Sequence, residues 1–189
     1  MITVAETYLD ETAERYRSSV VGAVADEVEV VDSFVLGSGL VGGYRPGESD
    51  LDLVLVVDRP LAGEARRAAV ERIAGLPRPG RRLELVVYVR GQQPPQFDLN
   101  LEVDDEGVRE APDEAPHWFV IDAAIAQERI PRWRERFAPV SEARIREAVE
   151  ESLAWSAKRP ELEFARLNAT RARHYLEHGE WISKSEPAS

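Results

Sequence analysis

Residues 37–57 read GSGLVGGYRPGESDLDLVLVV, and this stretch decides the fold. Its end, Leu51 to Val57, is a near-continuous apolar run, the pattern of a strand buried on both faces. Its middle, Leu40 to Ser49, is full of glycine, proline and serine and reads as loop. Asp50 and Asp52 stand at the junction. Alternate residues of a strand share a face, so these two carboxylates point one way while Leu51 and Leu53 enter the core. Carboxylates held side by side repel each other unless a cation lies between them. An all-oxygen pair suits Mg²⁺, which is usually held by one or two carboxylates plus substrate phosphates. Gly37-Ser38 precedes Asp50 by eleven intervening residues. There glycine permits close backbone approach, serine offers a hydroxyl, and exposed backbone N–H groups suit an anion. Phosphates and a metal are therefore expected to meet at one edge of a sheet.

Upstream, Leu9, Ala13, Tyr16, Val20 and Val24 recur every three to four positions, which predicts a helix within the first 27 residues. A β-rich run from Val28 to Leu36 follows. Downstream, Gly63 to Leu76 is helical, with Ala65, Ala69, Val70 and Ile73 on one side, and Pro77-Arg78-Pro79-Gly80 ends it. Leu83 to Val89 is a third strand and Phe97 to Val103 a fourth. Glu84 is in phase with Val86 and Tyr88. If the second and third strands are neighbours, it joins the aspartates as a metal ligand or as a general base.

The character then changes. Asp104 to Pro116 is an acidic, proline-punctuated connector, and the rest is helical. Trp118 to Gln127 is one helix. Ser141 is the N-cap of a second, reaching about Ala157, with Ile145, Val149 and Trp155 facing inward. Pro160 opens a third, Glu161 to His178, which Gly179 closes. The expected class is α/β (α+β): residues 1–103 as a small mixed sheet of four or five strands with flanking helices, 104–116 as connector, and 117–189 as a helical domain.

The chain of 189 residues carries 24 basic and 35 acidic side chains, a formal charge of −11. Such a surface repels phosphate backbones, which argues against broad nucleic-acid binding and suits a cationic ligand. The lack of cysteine excludes disulfides, thiolate zinc sites and cysteine nucleophiles. Three histidines are too few for a histidine-rich metal site. No apolar stretch approaches the ~20 residues of a membrane span, and Met1 to Asp10 has no basic residue. A cytoplasmic monomer with no membrane or nucleic-acid partner is expected.

Gly37-Ser38, eleven residues, Asp50-Leu51-Asp52 and an apolar strand resemble the signature of the DNA polymerase β-like nucleotidyltransferases. With LELVVYV around Glu84 and ARLNATRARHYLEHGEWISKSE near the end, the chain resembles the aminoglycoside adenylyltransferases of the streptomycin and spectinomycin 3″/9-O group and their uncharacterised relatives. The resemblance runs from about Phe34 to Glu186 and is thin between Val103 and Glu151. It implies a nucleotidyltransferase fold and Mg²⁺-dependent transfer of AMP from ATP to a hydroxyl of a small molecule, with an aminoglycoside as the first acceptor class. It also implies two Mg²⁺ ions on Asp50 and Asp52, with Glu84 as base and further ligand. Gly37, Ser38 and Ser49 would contact the nucleotide phosphates, and Arg171 and Lys184 would reach the triphosphate from the helical domain. Two departures stand out: only Val103 lies near the aromatic slot after the fourth strand, and the segment before Glu161 is short. Trp155 and Glu161 remain to stack on a sugar and pair with an ammonium. The chain stops five residues after Lys184, where family members commonly add helices, so the helical domain is expected to be short. The other readings are the same chemistry on a protein or other acceptor, and a nucleotide-binding module impaired in catalysis.

Overall fold

The computed structural model describes residues 7–110 and 115–182. Five strands form one sheet in the order β1 (Val30–Val35), β2 (Leu51–Val57), β3 (Leu83–Val89), β4 (Leu99–Asp104), β5 (Gly107–Glu110). It is mixed: β2 and β3 are parallel and every other pair is antiparallel. Parallel neighbours need a crossover connection, and helix α3 (Gly63–Ala74) supplies it. Helix α1 (Glu11–Ala25) starts where the Asp10 side chain accepts the Ala13 N–H at 2.7 Å. It buries Ala13, Tyr16, Val20, Ala23 and Val24, the face that the sequence periodicity marks.

Odd and even positions of the strands go opposite ways. Leu51, Leu53, Leu55 and Val57 join Leu83, Leu85, Val87, Leu99, Leu101 and Val103 in one apolar core, under Tyr16, Val20 and Val24 of α1 and Ala69 and Ile73 of α3. The opposite face carries Asp52, Glu84 and Glu102 at one end and an apolar patch further along. There Phe137 sits edge-on to Tyr88 at 5.2 Å and near Phe34 at 6.2 Å. Beside it Arg136 Nε lies 3.0 Å from Asp32 Oδ2.

The chain divides into two compact units, Met1–Asp113 with Glu135–Phe137, and Glu114–Arg134 with Ala138–Ser189. Two features depart from the sequence reading. The stretch expected as a pure connector contains β5, which pairs with β4 from Leu101 to Asp104. Residues 135–137, expected in the helical domain, pack on the sheet instead. The second unit contains α4 (His117–Arg129), a 3₁₀ turn (Pro131–Glu135, whose last residue belongs to the first unit), α5 (Glu142–Ala157) and α6 (Glu163–His178). Helix α5 packs on both α4 and α6. Ser141 caps α5 by accepting the Arg144 N–H, and Gly179 closes α6 in the left-handed conformation at φ 72°. Helix α6 begins two residues later than expected because Leu162 N–H is taken by the Arg159 carbonyl in the preceding turn. Among the described residues no helix is long and apolar enough to cross a membrane.

Candidate active site

The parallel register of β2 and β3 sets Asp52 opposite Glu84. This pairing brings together two acids 32 positions apart in the chain. Gly37 closes the arrangement from the side. It adopts φ 53°, and a Cβ built there would fall 1.8 Å from Asp52 Oδ2, so only glycine lets the backbone lie against that carboxylate. Leu36 N–H donates to the Asp52 carbonyl at 2.9 Å, fixing the end of β1 against β2. Gly37 and Ser38 then begin a one-turn helix, α2 (Gly37–Val41), where loop was expected from Leu40 onward.

Asp52 and Glu84 are hydrogen-bonded through their side chains. Burial first, and then the Asp52 charge, push the Glu84 carboxyl well above the usual carboxylate range, against the opposing pull of Arg82. Two crowded oxygens-only side chains are the donor chemistry a hard divalent cation takes, and a cation between them would relieve their repulsion.

Asp50 lies at the same end of the sheet, where two arginines hold its carboxylate. Its carboxylate accepts from Arg81 Nε at 3.0 Å and Arg81 Nη2 at 2.8 Å, and from Arg82 Nη2 at 3.1 Å. Burial by itself would raise its pKa; the hydrogen bonds and charges of the two arginines overcome that and hold it below its ordinary value. The expected cluster of Asp50, Asp52 and Glu84 as joint metal ligands is therefore not assembled. Among the described residues no group of three or more His, Asp or Glu side chains is arranged to hold a metal ion. The physical reason is that two guanidinium groups satisfy Asp50.

Ser49 is also engaged locally. Its hydroxyl accepts the Arg45 N–H at 2.9 Å, closing a turn ahead of β2. The remaining candidates are spread through the second unit. Arg171 Nε donates to the Ile182 carbonyl at 3.1 Å, and Trp181 stacks on Tyr175 at 4.1 Å, so the segment after Gly179 folds back along α6. Lys184 lies outside the described residues. Trp155 does not enter the buried face of α5, which is Ile145, Ala148, Val149, Ser152 and Ser156. It meets Trp118 edge-on at 5.4 Å, and the Arg159 guanidinium covers its ring at 4.4 Å. Glu161 is exposed in the turn before α6. Val103, near the slot where an aromatic residue was sought, is buried in β4.

Sequence reasoning missed Arg81, Arg82 and Glu102. Glu102 stands opposite Glu84 across β3 and β4, extending the acidic row to a third strand. Arg82 Nη2 reaches Glu84 Oε1 at 2.5 Å, and Arg82 Nη1 lies 3.8 Å from Glu102. A signal was present for Arg82: it is two residues before Glu84 and so shares its face.

No protein-family model matches the chain, and no curated protein does. Among solved structures, the fold is similar to that of spectinomycin adenyltransferase AAD(9) from Enterococcus faecialis, determined with ATP and spectinomycin. The TM-score is 0.69 at 16% sequence identity, covering 93% of this chain and 79% of that one. The α/β fold with a mixed sheet and flanking helices is thus one that an adenyltransferase uses.

Proposed function

We propose that the protein is a nucleotidyltransferase that moves AMP from ATP to a hydroxyl of a small cationic molecule, with aminoglycosides as the acceptor class to test first. The observation that carries this reading is the Asp52–Glu84 pair, set by strand register and packed against Gly37. The adenyltransferase fold supports it.

In this reading Asp52 and Glu84 would hold Mg²⁺, with Asp50 as a further ligand. The bound ion would supply Lewis-acid stabilisation of charge on the reacting phosphate. The sequence resemblance assigns Gly37, Ser38 and Ser49 to the nucleotide phosphates, and Arg171 and Lys184 as cationic contacts to the nucleotide. The acceptor oxygen attacks the α-phosphate in line, its P–O bond forms, and pyrophosphate leaves with the electrons of the broken bond. Glu84 takes the proton of the acceptor hydroxyl. Burial raises its proton affinity, the direction a base requires. Trp155 and Glu161 would contact the acceptor, and the acidic surface would attract a polycation. A cytoplasmic monomer without nucleic-acid or membrane partners belongs to the same reading.

A second acceptor class is favoured by one observation. The ring of Trp155 is covered by Arg159 and Val103 is buried, so the aromatic platform sought for a drug sugar is incomplete. The same chemistry on a protein or another hydroxyl remains the second reading. Pyrophosphate release, with four NTPs against a panel of aminoglycosides, with and without Mg²⁺, tests both. Release that requires ATP, Mg²⁺ and one acceptor supports transfer. Nucleotide binding without release under any acceptor points to a binding module.

A further inference from the structure

Four carboxylates, Asp50, Asp52, Glu84 and Glu102, gather at one end of the sheet, and one guanidinium reaches three of them. Arg82 Nη2 lies 3.1 Å from Asp50 and 2.5 Å from Glu84, and its Nη1 is 3.8 Å from Glu102. The side chain is 28% exposed and its Nε is buried without a hydrogen-bond partner. The fork is thus only partly matched: charge holds it, on its Nη atoms. Every other acid it touches has a second cation. Asp50 retains Arg81, and Glu102 retains Arg109 at 2.9 Å. Withdrawal of Arg82 would leave Asp50 and Glu102 each with a cation and would free Glu84, whose neighbour in the register is Asp52, for a divalent cation.

We infer that Arg82 is a positioning residue that competes with a divalent cation for Glu84 and Asp50. While the guanidinium is in place it offsets the repulsion within the acidic row and holds both Asp50 and Glu84 on one nitrogen. When a cation takes the pair, the guanidinium gives up both acids, and Asp50 becomes able to join. Cation affinity is therefore reduced by the fraction of time Arg82 occupies the site. This rests on the reading of Asp52 and Glu84 as metal ligands.

The test uses the full chain and Mn²⁺ alone as probe, with affinity read from the paramagnetic signal of free ion and stability read from melting in chelator and in saturating Mn²⁺. Arg82→Met removes the charge and keeps the length. It is expected to bind Mn²⁺ about tenfold more tightly than the parent, since each ~1.4 kcal/mol of competing charge removed is worth a factor of ten. It should also melt lower than the parent in chelator, with the gap closing in Mn²⁺, because the ion replaces the lost counter-charge. Arg82→Lys keeps a point charge without the fork and should fall between the two; it carries the test if Arg82→Met does not fold. Mn²⁺ binding that is equal in parent and variants, or weaker in the variants, overturns the inference alone. Absence of Mn²⁺ binding in all of them, or binding that Asp52→Asn leaves unchanged, overturns the reading of the site and this inference with it.

Discussion

The two units bury their interiors by different means. In the sheet unit the core is leucine and valine from alternate strand positions, with Leu55, Leu83, Leu85, Leu99 and Leu101 at 0% exposure. In the helical unit alanines (Ala123, Ala124, Ala126, Ala148, Ala165, Ala169 and Ala172) are interleaved with large side chains such as Phe119, Ile125, Trp133, Ile145 and Tyr175. Buried polar atoms without a hydrogen-bond partner occur in both units: Tyr16 Oη, Tyr44 Oη and Arg82 Nε in the sheet unit, and His117 Nε2, Ser156 Oγ and Asn168 Nδ2 in the helical unit. The contrast teaches that one unit separates packing from chemistry by strand parity, while the other fits alanines between large apolar side chains at its helix contacts. Substitutions should therefore act differently in each.

The largest effect is expected at the acidic end. Asp52→Asn should remove Mg²⁺-dependent pyrophosphate release, with a loss of at least ~10²–10⁴-fold if it disables the base pair with Glu84. Its urea midpoint should be at or above that of the parent, because a repulsive neighbour of Glu84 is gone. Retained turnover would break the assignment of chemistry to this end of the sheet. Gly37→Ala probes the same place through the backbone. Its methyl group would occupy the position of Asp52 Oδ2 at a left-handed φ. We expect turnover to fall severely, with about 1–2 kcal/mol of stability lost to the strained backbone.

On the opposite face, Leu85→Ala empties a fully buried position and should cost about 2–5 kcal/mol by urea denaturation. The helical unit should respond in the reverse sense. Ala148→Leu adds volume where α5 meets its neighbours and should cost about 1–3 kcal/mol, while truncation has little to remove there. Equal tolerance of large side chains at Ala148 and of small ones at Leu85 would erase the contrast between the units.

The smallest effect is a pH slope from His117. Burial lowers its pKa, Glu151 opposes that shift, and Arg144 adds to it. A folded pKa below the unfolded value means that the unfolded chain gains the proton first. Stability is then complete above about pH 6.5 and falls as the pH drops through that value. His117→Gln should flatten this slope in urea midpoints measured between pH 7.5 and 5; an unchanged slope would show that the buried imidazole is not its source.

Local signals made much of this legible. The periodicity of α1, the apolar run of β2, Ser141 as N-cap and Gly179 as C-cap each depend on residues within one or two turns of one another. Asp50, Asp52 and Glu84 could be singled out because spacing and strand parity are local quantities. What the chain could not show locally was register. Asp52 meets Glu84, and Glu84 meets Glu102, only because β2, β3 and β4 pair with one particular offset. The same is true of β5, whose four exposed residues sit inside an acidic connector and become a strand only through the edge that β4 offers.

The sequence by itself determined strands β1 to β4, helices α1 and α3 to α6, the buried face of α1, and Asp52 and Glu84 as acids of one sheet face. Tertiary structure decided that Arg81 and Arg82 claim Asp50, that Glu102 extends the acidic row, and that residues 135–137 return to the sheet. The physical reason is that charge pairing and strand register depend on distances between segments far apart in the chain, whereas propensity and parity depend on neighbours.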